Sequence, residues 1–230
     1  MADQGKKPNS DNLEITETIS KAEGYVSENK KSITIIGGAI LVVILGYFGY
    51  TNMIVKPQEE NAQKEMFMAE RYFQQDSVDK AINGDGQFPG FIEIIDNYGS
   101  SSSANLAHYY LGMSYMKKGQ WESAIEYLSK YDAEDDITGA LALGAIGDAN
   151  MELKDNDEAE KFYMKAVDYD KNQFTAAIFL MKAATVKELK NDYKGAADLY
   201  ERIKKDYPQS TEARDIERYL VRANNMAAKG

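Results

Sequence analysis

The stretch ANLAHYYLGMSYMKKGQWESAIEYL, running from Ala104 to Leu128, decides the fold because its pattern is written again further along the chain. Leu111-Gly112 returns as Ile146-Gly147 and Ala124 returns as Ala159, and both offsets, 147 − 112 and 159 − 124, equal 35. A fixed period of this size marks a repeat architecture. Inside the first copy, Tyr109, Leu111, Tyr115 and Met116 form one burst of apolar residues at helical spacing, and Trp121, Ala124, Ile125 and Leu128 form a second. Lys117-Lys118-Gly119-Gln120 stands between them, so each copy reads as helix, tight turn, helix. The small residues Gly112 and Ala124 let two antiparallel helices approach closely, with Leu111, Tyr115 and Leu128 filling the seam around them. One hairpin of this kind leaves an apolar face uncovered, so the pattern requires neighbours stacked on both sides.

These residues resemble the tetratricopeptide repeat. The first copy, counted from Asn105, has a large residue and Gly at its seventh and eighth positions, an aromatic at the eleventh, Ala at the twentieth and a large residue at the twenty-fourth. Gln120-Trp121-Glu122-Ser123-Ala124 is similar to that family's turn into its second helix. A third copy shows in Asp192-Tyr193-Lys194-Gly195-Ala196, closing with Ile203 and Pro208. It departs from the pattern at Ala183-Ala184 and at Lys187, and the second copy departs at Asn150, where an aromatic is usual. The resemblance implies an all-α fold, a tetratricopeptide-repeat α-solenoid of about three to four hairpins and a capping helix. Phe91 to Tyr98 reads as the second helix of an irregular first hairpin. Its first helix starts near Glu59 and is ended by Asn83-Gly84-Asp85-Gly86. Thr211 to Met226 supplies the cap.

Upstream, Ile33 to Val55 is twenty-three residues without a charge. At about 1.5 Å per helical residue it crosses a hydrocarbon layer of about 30 Å. It is too long for the apolar part of a secretory signal, and no small-x-small cleavage site follows, so it reads as a retained single transmembrane anchor. Met1 to Asn12 reads as a disordered tail. Ile15, Ile19, Ala22 and Val26 then draw one apolar stripe on a short helix, which lies in the membrane interface or docks a partner. Lys30-Lys31 abut the amino end of the span, and Lys21 lies close by. The positive-inside rule therefore puts the amino terminus in the cytoplasm and the repeats across the membrane, which in a bacterium is the periplasm. Tyr47, Phe48 and Tyr50 fit an aromatic belt. Gly38, Val42, Gly46 and Gly49 share one helix face, which meets either another membrane helix or lipid. The expected organisation is residues 1–31 as a cytoplasmic tail, 32–55 as the anchor and 56–230 as the periplasmic repeat domain.

Composition narrows the function. A net charge of −10 argues against nucleic acid, which calls for a basic face. With no cysteine and a single histidine, His108, thiol chemistry and Cys- or His-based metal sites lack their residues. His108 stands at a packing position. Asn83-Gly84-Asp85-Gly86 suggests a calcium loop, but Ala81 and Ile92 would then occupy the first and twelfth ligand positions, so it reads as a turn. The acidic cluster Asp132-Ala133-Glu134-Asp135-Asp136 between repeats, and Asp155-Asn156-Asp157-Glu158 in a hairpin turn, read as helix caps and dipole-matched charges. No catalytic residue, cofactor or metal is expected, and the chain is not read as an enzyme.

Function then rests on surface. The tetratricopeptide resemblance implies a protein-binding groove at positions two, five, nine and twelve of each first helix. These are Leu106, Tyr109, Met113 and Met116, then Leu141, Gly144, Asp148 and Met151, then Ile178, Met181, Thr185 and Glu188. Flexible thioethers suit varied extended or unfolded segments. The whole layout, with Tyr25-Val26-Ser27-Glu28-Asn29-Lys30-Lys31 directly before one uncleaved span and an acidic repeat domain after it, looks like the YfgM-type ancillary subunit of the bacterial Sec translocon. That resemblance implies an inner-membrane adaptor or holdase. Its partners would be translocon subunits, a membrane-anchored prolyl isomerase chaperone and exported polypeptides. The alternative is a structural scaffold in another inner-membrane or envelope assembly.

Overall fold

The computed structural model describes residues 29–169, 172 and 174–229, all of them in helices or the turns between them. The expected tail and the Ile15–Val26 stripe lie outside the described residues. The chain divides into two units, Met1–Val55 and Lys56–Gly230.

In the first unit, α1 (Lys30–Tyr50) buries no residue and passes into a π-helical turn, Thr51–Val55. Its apolar stretch has a mean hydropathy of 2.2, which makes it long and apolar enough to cross a membrane. The side chains of Thr51 and Asn52 donate to the Phe48 carbonyl at 3.1 and 2.8 Å, so the first polar groups after the apolar run are satisfied within the helix.

In the second unit, the helices are α2 (Lys56–Gln74), α3 (Val78–Asn83), α4 (Phe91–Tyr98), α5 (Ser102–Lys118), α6 (Trp121–Leu128), α7 (Asp136–Glu152), α8 (Asn156–Tyr169), α9 (Thr175–Leu189) and α10 (Tyr193–Asp206). A 3₁₀ turn (Glu212–Asp215) then leads into α11 (Ile216–Ala227). Four hairpins are cut by one kind of turn. Asp76, Gly119, Lys154 and Asn191 all take φ between 58° and 68°. Each donates its N–H three residues back, and the next residue donates five back: Lys154 to Met151 at 3.0 Å, Asp155 to Asn150 at 2.9 Å. This left-handed stop satisfies the last carbonyls of the first helix and turns the chain into the second.

Close helix approach follows the small residues. A Cβ on Gly112 would stand 2.6 Å from Leu128 Cγ, and one on Gly147 would stand 2.6 Å from the Tyr163 ring. Ala184 fills the equivalent place in the last hairpin and is fully buried, as are Leu111 and Ala124. From the two acidic clusters, Asp135 and Asp155 are the members that cap α7 and α8 through their carboxylates. Ile216, Leu220 and Ala223 lay α11 on the stack as its cap, with Glu217 and Arg218 turned outward.

The first hairpin corrects the sequence reading. Its first helix ends at Gln74, not at Asn83, because Asp76 makes the left-handed turn there. Its second helix is split into α3 and α4 by a loop closed on itself. A Cβ on Gly90 would meet the Ile82 carbonyl at 2.3 Å, and Asp85 accepts from the Tyr72 hydroxyl at 2.6 Å and from the N–H groups of Gln87 and Phe88. The helix after Pro57 is thus a wall of the stack, with Met66 and Ala69 buried in the same cluster as Phe91, Ile94 and Leu111.

Candidate functional site

Counting from the turns puts the four first helices in one register. Ala69, Gly112, Gly147 and Ala184 fall at the eighth position, and Glu70, Met113, Asp148 and Thr185 at the ninth. The residues of the expected binding face separate into three groups. Tyr109, Met113 and Met116 are half-buried in the seam against Leu128, Ala142, Ala145 and Ile146. Met151 and Met181 pack against the large carboxy-terminal core. Leu141 and Ile178 are open, each 39% exposed, and Leu106 is half-buried.

Of these, Leu106 lines a cleft of about 580 Å³ between α2, α5 and the start of α7. Its floor is Met66, Leu106 and Tyr110, with Phe67 on the lip at 62% exposure. Tyr110 is held by stacking on Phe91 at 5.4 Å. Glu59, Glu70, Glu134 and Asp135 stand around the floor. Two of these carboxylates are committed. Glu59 accepts from the Ser103 hydroxyl at 2.7 Å and from Gln63 at 2.8 Å; burial alone would raise its pKa, but these bonds hold it below the ordinary value. Asp135 is held low by the Thr138 hydroxyl and by the N–H groups it caps. Glu70 is different: burial pushes its carboxyl up, and no ion pair reaches it among the described residues.

Further along the face, polar groups find their partners within the chain. Lys182 Nζ lies 2.6 and 2.7 Å from the Asp148 carboxylate, which also accepts from the Tyr163 hydroxyl at 2.6 Å. Gly144 leaves room for the Phe179 ring, which a Cβ would meet at 1.9 Å, and that ring stacks on Tyr163. Lys187, in the aromatic position, pairs with Glu160 and Asp192 at 2.9 Å each, and Glu188 pairs with Arg222 of α11. Asn150 is buried and donates to the Ile146 carbonyl at 2.8 Å, which explains an amide where the repeat favours a ring. His108 stacks on Tyr127, a packing role.

The sequence reading missed Met66, Phe67 and Glu70, since α2 had not been placed in register. The available signal was Ala69 and Tyr72, which match Gly112 and Tyr115 once an offset of 43 replaces 35. On α1, Gly38, Gly46 and Gly49 have open space where a Cβ would stand, and Val42 is exposed.

Residues 140–173, and separately 106–134 and 179–210, match family models of the tetratricopeptide repeat. The chain carries tetratricopeptide repeats. The matched stretches coincide with the hairpins α7–α8, α5–α6 and α9–α10. Among solved structures, the repeats are similar to the nearly identical TPR-like repeats named for a kinesin light chain of Podosopora anserina, at 14% identity and a TM-score of 0.54, over 74% of this chain and 89% of that one. They are also similar to the MamA protein, at 19% identity and a TM-score of 0.51, over 74% of this chain and 93% of that one. At these identities the likeness speaks for the fold alone. No curated protein matches the chain. Repeats of this kind are scaffolds for protein–protein interaction and are typically not catalytic.

Proposed function

We propose that this chain is a membrane-anchored tetratricopeptide adaptor or holdase at the Sec translocon. In this reading α1 anchors it in the bacterial inner membrane, residues 1–31 remain cytoplasmic and residues 56–230 work in the periplasm. The groove face holds exported or unfolded polypeptides and passes them to a partner chaperone such as a membrane-anchored prolyl isomerase. The observation that carries the reading is an open, apolar-floored groove in a chain that also holds an uncharged stretch from Ile33 to Val55. Lys30-Lys31 at the amino end of that stretch supports the orientation, and Gly38, Val42, Gly46 and Gly49 offer a face for a membrane partner.

A photo-crosslinking residue at Leu141 or Ile178, both open to solvent, tests the reading without disturbing the core. Newly exported chains crosslinked at these positions, with translocon subunits copurifying in mild detergent, are the expected result. Absence of both sinks it. The rival reading, a scaffold for one folded envelope partner, draws on the internally paired surface around Asp148 and Glu188, which presents a fixed shape. A single stoichiometric partner without clients or translocon subunits would favour it.

A further inference from the structure

Among the residues lining the 580 Å³ groove there is no lysine or arginine, although the chain carries 27 of them. Its four carboxylates are not equivalent. Glu59 is held by Ser103 and Gln63, and Asp135 by the start of α7, so neither is available to a ligand. Glu70 and Glu134 face the same space with no ion pair among the described residues, and Glu70 rises from a helix whose neighbouring Met66 is 3% exposed. A half-desolvated carboxylate beside an apolar floor is an incomplete arrangement, because the free protein supplies no cation to offset the lost hydration. At the equivalent position of the third hairpin, the chain supplies that cation itself, as Lys182.

We propose that this groove takes an extended polypeptide segment in which a lysine or arginine lies beside apolar side chains. The inference rests on the reading of the groove as the binding face and names the chemistry of its occupant. The cation meets Glu70, with Glu134 on the opposite rim, while a flanking leucine- or valine-like side chain covers Met66, Leu106 and Tyr110. An arginine also gains the face of Tyr110. An acidic segment would set a second carboxylate against Glu70 where water is partly excluded, so rejection is built in along with attraction.

Fluorescence anisotropy on the full chain in nonionic detergent tests the proposal. Three labelled decapeptides of alternating leucine and serine are used, with lysine, glutamine or glutamate at two central positions and a photo-crosslinker at one end. The lysine peptide is expected to bind about tenfold more tightly than the glutamate peptide. Glu70→Gln should reduce its affinity to that of the glutamine peptide, and Glu70→Lys should invert the preference. Equal affinity for all three peptides, with crosslinks on α2 and α5, would overturn the charge preference while leaving the groove as the binding face. Crosslinks elsewhere would overturn both. A wild-type chain that takes up no peptide overturns the proposal too, and points to a groove closed by a second copy.

Discussion

Glu70 and Asp148 occupy the same position in their hairpins, and the chain treats them in opposite ways. Asp148 is gripped by Lys182 and by the Tyr163 hydroxyl, under a Phe179 ring that fills the space left by Gly144. Glu70 opens into a cleft whose lining carries no lysine or arginine, and no ion pair reaches it among the described residues. The repeat therefore fixes where a side chain points but not what answers it. At this position the third hairpin has turned the shared face into structure, whereas the first has left it open to the cleft.

The largest test of that contrast removes one ring from each half. Phe179→Ala, at a site 4% exposed, should cost about 3–5 kcal/mol of unfolding free energy in urea titration, whereas Phe67→Ala, at 62% exposure, should change it by less than about 0.5 kcal/mol. The charged pair of positions gives the next effect. Asp148→Asn strips Lys182 and Tyr163 of a charged acceptor and should lower stability by roughly 1 kcal/mol. Glu70→Gln should leave the melting temperature unchanged or raise it, since burial already disfavours that charge.

A smaller change of opposite sign is expected at the turns. Lys154 holds φ at 63°, where a side chain is strained and glycine is not, so Lys154→Gly should stabilise the third hairpin by about 0.5–1 kcal/mol. The last test concerns the loop between α3 and α4. The Tyr72 hydroxyl and the N–H groups of Phe88 and Gln87 hold the Asp85 carboxyl at about 2, below its ordinary 3.8. Its contribution is complete above the ordinary value and is lost as pH falls toward about 2. Thermal unfolding followed over that acid range should show a decline in the wild type that is shallower in Asp85→Asn.

Much of this architecture was legible in the sequence, because hairpin geometry is imposed by few residues. Leu111-Gly112, Ala124 and their copies at intervals of 35 sufficed to place α5 to α8. The groove was less legible, for two physical reasons. The loop around Asp85 lengthens the spacing between the first two turns to 43 residues (119 − 76), which hides α2 from a search at fixed period. Position alone also does not tell whether a methionine faces solvent or the next hairpin. Met113 and Met116 went to the seam because α7 packs small residues, Ala142 and Ala145, against them and lets them in.

The left-handed turns set how this chain tolerates change in length. Spacings of 43, 35 and 37 residues between successive turns (119 − 76, 154 − 119, 191 − 154) show that extra residues accumulate after a turn and never within one. A single residue added between Met151 and Lys154 would rotate everything downstream by about 100° of helix and scatter the register on which the stack depends.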